Sequence, residues 1–427
     1  MGRSLSLLLL LGLVLAGLEP TPALAKRIFV PRDHRRLQAA LDAAATDDTV
    51  WVKAGIYRGP FEIKKRIIVY GEGGADSTIL DGGDSVRVLL VEGVRGGGII
   101  GFGIRRGKAN AGGGLKCVRD TLYEIRDCNF EKNWETGISV WESGLVSIGN
   151  AHIRNNKGGG VLFDHSTGAI YSSEVTDNMG REGAGISLVH SRMAVPIRQV
   201  LFARNVAKGA TGGAVNAADS SEVTIVNSTF RENSTDVAGG AVAAMSSSGV
   251  NISRCLFEKN RAGTSGAVHA DQAGINVGYS VFNQNTARAV ASALGVTGRR
   301  TANVNPLIVS NTFYKNTVTG EGAALFLTSV SPDVRRNIFV VNTDQRAVTG
   351  LQTYPRYDCN LIWDPSGGAI GALPSANTLV GDPLFCDAEH GNFKLRDLSP
   401  AMRAPCGPIG AFNEKAGCSS FRLQPAN

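Results

Sequence analysis

In four repeats of the first half of the chain, the residue pairs Trp141-Glu142, Asp164-His165, Val189-His190 and Ala218-Asp219 occupy one equivalent place. Each pair lies three and four residues after an apolar position, namely Ile138, Val161, Ile186 and Val215. If those apolar residues stack, then Glu142, His165, His190 and Asp219 form one vertical line with Asp164 beside it, all within about 15 Å at the spacing of β-strands. Imidazole titrates near neutral pH, and imidazole and carboxylate are both metal ligands. Such a line could therefore hold a divalent cation or supply an acid–base pair. These five residues are the candidate catalytic or metal-ligating set. A plain solvated turn edge fits the same pattern. Further along, His269 stands in the outward position beside Val268 and reads as a surface histidine, with Asp271 nearby. Arg105, Arg106 and Lys108 form a small basic cluster that could contact an acidic glycan.

The elements that must position this line are visible in nine asparagines: Asn133, Asn156, Asn178, Asn205, Asn233, Asn260, Asn285, Asn316 and Asn342. Each follows a bulky apolar residue by three places: Phe130, Ile153, Val175, Phe202, Phe230, Phe257, Phe282, Phe313 or Phe339. The steps of 23, 22, 27, 28, 27, 25, 31 and 26 residues are the mark of a solenoid, because one such unit cannot bury its own apolar face. The unit contains short β segments and glycines without helical periodicity, which predicts stacked parallel coils. In one coil, Phe230 points inward and Asn233 sits at a corner, where an asparagine can bond its neighbours in the column. Gly239-Gly240 allows the next bend, and Val242 points inward again. An asparagine tolerates left-handed backbone and is expected to adopt it there. The second inward column runs Leu115, Ile138, Val161, Ile186, Val215, Val242, Val268 and Leu325. A third short strand, such as Val223-Thr224-Ile225, closes each coil.

The Phe-x-x-Asn and Gly-Gly-Ala-Val pattern, over roughly residues 100–345, resembles the repeats of polymorphic outer-membrane proteins and, more broadly, the right-handed β-helix superfamily that includes pectate lyases. That resemblance implies right-handed coiling. The expected fold class is all-β: one parallel β-helix with an N-terminal capping helix and a disulfide-containing C-terminal cap. No large C-terminal barrel of the outer-membrane type follows the repeats, so self-insertion into an outer membrane is not expected. The residues offer no base or calcium cluster that can be carried over from the lyases. Phe163-Asp164-His165-Ser166 is not the Asp-Pro-His-Asp motif of alginate-epimerase-like proteins.

The ends divide the chain further. Residues 1–25 read as a secretory signal peptide: Arg3, the apolar stretch Leu5 to Leu18, and Ala23-Leu24-Ala25 before the cleavage point. An N-terminal cap follows at 26–48, with Leu37, Ala40, Leu41 and Ala44 at helical spacing and Asp33 as its expected N-cap. The β-helix is expected over 49–385 and a C-terminal cap and tail over 386–427. Cys128, Cys255 and Cys359 occupy an inward small-residue column and read as buried thiols, the last taken two places before Leu361. Cys117 and Cys128 are near enough in sequence to pair. Cys386, Cys406 and Cys418 are expected to supply one disulfide of open connectivity.

A net charge of +7 suits an exported protein that stays soluble and also suits acidic partners. The glycine clusters are not followed by helices and metal-binding cysteine pairs are absent, which argues against nucleotide and zinc-finger chemistry. The expected function is a secreted or cell-surface scaffold that binds carbohydrate or another surface component without catalysis. The alternative is a polysaccharide lyase or glycoside hydrolase acting on an acidic polysaccharide along the coil surface. Expected partners are a polysaccharide or cell-surface glycan rather than nucleic acid, and no membrane span follows the leader. No cofactor is assigned beyond the divalent cation the column could hold, and the oligomeric state stays open.

Overall fold

The computed structural model describes residues 25–298, 305–341, 345–367, 377–412 and 417–418. Residues 1–24, which hold all but the last residue of the expected signal peptide 1–25, and Asn342 lie outside them. Three parallel sheets form the three faces of one long solenoid. A single coil shows the pattern: Glu124–Arg126 on the first face, Asn129–Glu131 on the second and Ile138–Trp141 on the third. Each strand pairs in parallel with its equivalent one coil on, for example Glu124 with Ser147, Phe130 with Ile153 and Ile138 with Val161. Strands this short suffice because every backbone ladder is satisfied by the coils above and below.

The inward columns hold the coils in register. Phe202, Phe230, Phe257, Phe282, Phe313 and Phe339 stack face to face at 4.7–4.8 Å between ring centroids, with ring planes within 10°. All six are fully buried. The third-face column runs as expected from Leu115 to Leu325, with Leu294 as an additional member between Val268 and Leu325. That coil is hard to see in sequence because Thr286–Thr297 runs as one irregular 12-residue strand across two ladders.

The asparagine column is a buried ladder from Asn133 to Asn316. Asn156 Oδ1 accepts from the Asn133 backbone N–H at 3.1 Å and from Asn133 Nδ2 at 2.9 Å. Its own Nδ2 donates to Phe130 O at 3.1 Å and to Asn178 Oδ1 at 2.9 Å. Each rung thus satisfies backbone groups that the turn would otherwise leave unpaired. The left-handed residue at this corner is not the asparagine but the one before it: Lys132, Asn155, Asp177, Arg204, Glu232 and Lys259 have φ of 53–57°. Turning the chain one residue early points the asparagine inward, where it can stack. The other two corners repeat this device. Serines such as Ser143, Ser166, Ser221 and Ser248 line one of them, and Asn311, Asn337 and Asn360 end the other.

The N-terminal cap holds the helix Leu37–Ala43, and Leu37, Ala40, Leu41 and Ala44 are buried against the open end of the core. Asp33 does not cap it. Its carboxylate instead accepts from the Phe29 N–H at 2.8 Å and closes the turn before the helix. Arg27–Val30 already pairs in parallel with Thr49–Val52, so coil stacking starts ahead of the helix.

The C-terminal segment folds back along the side of the solenoid. Phe393, Leu395, Ala401 and Ile409 pack on Leu256, Val281, Tyr314, Ile338 and Leu361, the outward residues of the second face in its later coils. Tyr314 Oη donates to Glu389 at 2.7 Å, Lys315 pairs with the same carboxylate, and the Gly410 N–H bonds Arg336 O. One disulfide, Cys359–Cys406, fastens the segment to the coils, and a second, Cys386–Cys418, closes a loop within it. The expectation of a buried Cys359 thiol therefore fails. The inward residues there are Asn360 and Ile362, which continues the phenylalanine column. Cys359 sits at the left-handed corner and faces the C-terminal segment. Cys117, Cys128 and Cys255 are buried free thiols, so Cys117 and Cys128 do not pair.

Candidate functional site

The backbone register brings the candidate line together. Trp141, Asp164, Val189 and Ala218 are partners in consecutive strands of the third face. The next residue in each coil opens the corner toward the first face. Glu142, His165, His190 and Asp219 all have left-handed φ there, between 48° and 53°. A left-handed corner throws the side chain outward, so these four line one outer edge while the serines that follow turn in. The imidazoles of His165 and His190 stack with centroids 4.3 Å apart and planes 21° apart. Asp164 Oδ1 lies 2.7 Å from His165 Nδ1 and 3.8 Å from His190 Nδ1. Glu142 and Asp219 occupy the flanking rungs; the Glu142 N–H donates to Asp164 O at 3.0 Å, but among the described residues neither carboxylate joins this trio. The edge is solvated: the side chains of Asp164, His165 and His190 are 32%, 57% and 43% exposed.

Other singled-out residues take different roles. His269 is half-buried, with Nδ1 3.0 Å from Ser265 Oγ. Burial holds its imidazole below the ordinary value, against the attraction of Asp271. The reading of His269 as a surface histidine is corrected accordingly, because the loop carrying Ser265 covers it. In the basic cluster, Arg105 and Arg106 are neutralised by Asp81 and Asp84 at 2.8–3.6 Å. Lys108 instead sits near the half-exposed ring of Trp134, 5.3 Å from its centroid, with Lys157 at 3.6 Å.

Sequence reasoning missed a second polar site. A groove of about 380 Å³ lies on the second face in its early coils, lined by Ala75, Asp76, Asp127, Asn129, Asn150, His152 and Arg154. One wall is the turn that carries Asp76. That turn lies directly over Gly103, where any Cβ would come within 2.5 Å of Ala75 O and 2.6 Å of Ile79 Cδ1. The missing side chain also lets Asn129 reach two rungs back to Asp76, with Nδ2 donating at 2.9 Å. Asn150 Nδ2 donates to Asp127 Oδ1 at 2.6 Å, His152 Nδ1 lies 3.3 Å from Glu174, and Arg154 pairs with Glu131 at 3.1 Å. These contacts use one polar atom of each amide and of the imidazole. Asn129 Oδ1, Asn150 Oδ1 and His152 Nε2 have no partner among the described residues. The signal was available only as two outward positions flanking each inward Ile or Phe, spread over four coils.

A buried carboxyl completes the inventory. Asp120 stands where later coils carry serine, accepting from Val94 N–H at 2.7 Å and Val118 N–H at 3.0 Å. Burial pushes it up to about 6 despite those bonds.

Comparisons with known proteins agree with this architecture. The family model described as a right handed beta helix region matches at residues 107–240, 137–305 and 198–362. No curated protein sequence matches the chain. Among solved structures, the A-module of the Azotobacter vinelandii mannuronan C-5 epimerase AlgE4 is similar at 14% identity and a TM-score of 0.52, over 81% of this chain and 94% of that one. Pectate lyase Pel9A is similar at 13% identity and a TM-score of 0.46, over 91% and 96%. The polysaccharide lyase Pedsa3628 from Pseudopedobacter saltans is similar at 12% identity and a TM-score of 0.48, over 92% and 100%. The family matches together run from residue 107 to 362, more than half of the chain, and with three parallel faces winding about one stacked core the protein belongs to the right-handed β-helix family.

Proposed function

We propose that this is an exported β-helix protein that binds a carbohydrate chain, without catalysis, across the early coils of its second face. The observation that carries the reading is the groove between Asp76 and Arg154. It offers carboxylate, amide, imidazole and guanidinium groups in a shallow concave site, the mixture of donors and acceptors that sugar hydroxyls take. Among the described residues, the C-terminal segment covers the later coils of the same face and leaves the groove open. A net charge of +7 favours an acidic polysaccharide over a neutral one. The fold is shared with a mannuronan epimerase module, a protein whose name places it on a polysaccharide. Export is supported by the leader-like N-terminus and by two disulfides, which persist in oxidising compartments.

A second reading, a lyase or hydrolase of acidic polysaccharide, rests on the Asp164–His165 contact at 2.7 Å. A carboxylate on Nδ1 fixes the ring and leaves Nε2 for proton transfer. One experiment addresses both readings: a panel of neutral and uronic-acid polysaccharides assayed for binding and for release of unsaturated or shortened products, with and without calcium. Binding without product release, weakened about tenfold in an Asn129→Ala/Arg154→Ala variant, supports the scaffold. Product release that disappears in His165→Ala supports the enzyme. Failure to bind any polysaccharide, or binding indifferent to the groove variant, refutes the groove assignment.

A further inference from the structure

We propose that Asp164, His165 and His190 form a binding site for one divalent transition-metal ion of the zinc type. The site lies at the opposite edge of the first face from the carbohydrate groove and does not depend on it.

Geometry supports this first. Two ligands on one zinc-sized ion, at bond lengths of about 2.0–2.2 Å, sit roughly 3–4 Å apart. The Asp164 carboxylate oxygen and the two imidazole nitrogens already lie within 4.8 Å of one another, with Asp164 Oδ1 at 2.7 and 3.8 Å from the two Nδ1 atoms. To meet one ion along their in-plane lone pairs, the two imidazoles, whose planes now stand 21° apart, rotate out of their stack toward the Asp164 carboxylate.

The scaffold then makes the convergence more than a chance meeting of flexible groups. His165 and His190 are consecutive rungs of one left-handed corner, tied by the His165 N–H to Val189 O bond at 3.0 Å. Their ring centroids lie only 4.3 Å apart, so the backbone holds both imidazoles at one place on the edge. Backbone positions set by the coil repeat reduce the ordering that the ion must impose. In the rest of this column the equivalent residues include Arg119, Ser246 and Gln272, which offer no comparable pair of nitrogens.

Donor chemistry selects the class of ion. Two imidazoles and one carboxylate suit zinc, copper or nickel. Calcium and magnesium, which take six or more oxygens, are poorly served by this set. Three protein ligands at a solvated edge leave coordination positions open to water or to an oxygen of a bound molecule. Glu142 and Asp219 on the flanking rungs add negative potential without joining the set.

The test uses untagged full-length mature protein stripped with a chelator and titrated with zinc chloride by calorimetry. The ring nitrogens of His165 and His190 are followed by NMR, and calcium chloride serves as the control. One zinc per chain should bind, with both His165 and His190 ring signals shifting and calcium giving no saturable heat. His165→Ala, His190→Ala and Asp164→Asn should each weaken zinc binding about tenfold or more while the melting temperature of the metal-free protein stays unchanged. The groove variant His152→Ala should bind zinc normally, which separates this site from the carbohydrate reading. Absence of saturable zinc binding overturns the proposal, as does zinc binding that persists in the His165→Ala/His190→Ala double variant.

Discussion

The side-chain amide of Asn205 donates to Asn233 Oδ1 at 2.9 Å, and the Asn205 backbone N–H donates to the same oxygen at 3.0 Å. One buried oxygen thus closes two bonds across neighbouring coils, while Asn233 Nδ2 donates to Phe202 O at 2.9 Å. Replacing Asn233 by Ala removes the acceptor of the Asn205 backbone N–H, the donor to Phe202 O and one of the two bonds of Asn205 Nδ2, which keeps Val175 O at 2.8 Å, all in a dry corner. We expect a loss of roughly 2–4 kcal/mol in urea unfolding. A loss under about 0.5 kcal/mol would show that water fills the corner at no cost.

Phe230 lies between Phe202 and Phe257 in the aromatic stack, in contact with both rings and fully buried. Truncation to Ala removes contacts on both sides, with an expected cost of roughly 3–5 kcal/mol. Because solenoid stability is carried by neighbour interfaces, hydrogen exchange should speed up first in the coils around 202 and 257. Uniform acceleration from end to end would argue for a single cooperative unit instead.

Asp120 makes stability depend on pH with an unusual sign. Its folded-state value of about 6 lies above the unfolded value of about 3.9, so between the two the folded protein holds a proton that the unfolded chain has released. This contribution weakens stability as pH rises from about 4 to about 6, and the penalty is complete above that. Asp120→Ser copies the residue used in the later coils. Relative to wild type, the variant should gain roughly 2 kcal/mol between pH 4 and pH 7. Parallel denaturation curves for the two proteins at both pH values would contradict the buried, proton-binding carboxyl.

Cys406 ties the C-terminal segment to Cys359 on the second face. In Cys406→Ser the segment is still held by the Glu389 contacts and its apolar seat, but less firmly. Limited proteolysis should cut within residues 388–412 well before the coils, and the stability loss should be roughly 2–4 kcal/mol. Equal resistance of both proteins to protease would mean that packing alone holds the segment.

The coil was legible in the repeat alone. Phe-x-x-Asn at a period near 26 residues demands stacking, because an inward Phe and an inward amide are tolerable only when the next coil supplies the same pair. The vertical line from Glu142 to Asp219 followed from the same counting, since register in a parallel ladder carries alignment from strand to corner. Three things were decided only in three dimensions. The left-handed residue is Lys132 or Arg204 rather than Asn133 or Asn205, a choice made by which neighbour must face inward. Cys359 turned outward because Ile362, not Leu361, continues the apolar column, and two adjacent apolar residues look alike in sequence. The groove at Asn129 and His152 needed the Asp76 turn laid over Gly103, a contact between coils that no local pattern announces. Repeats reveal what every coil must do alike, whereas a site arises where one coil departs from the others, and that departure gains its meaning only from the neighbours it meets.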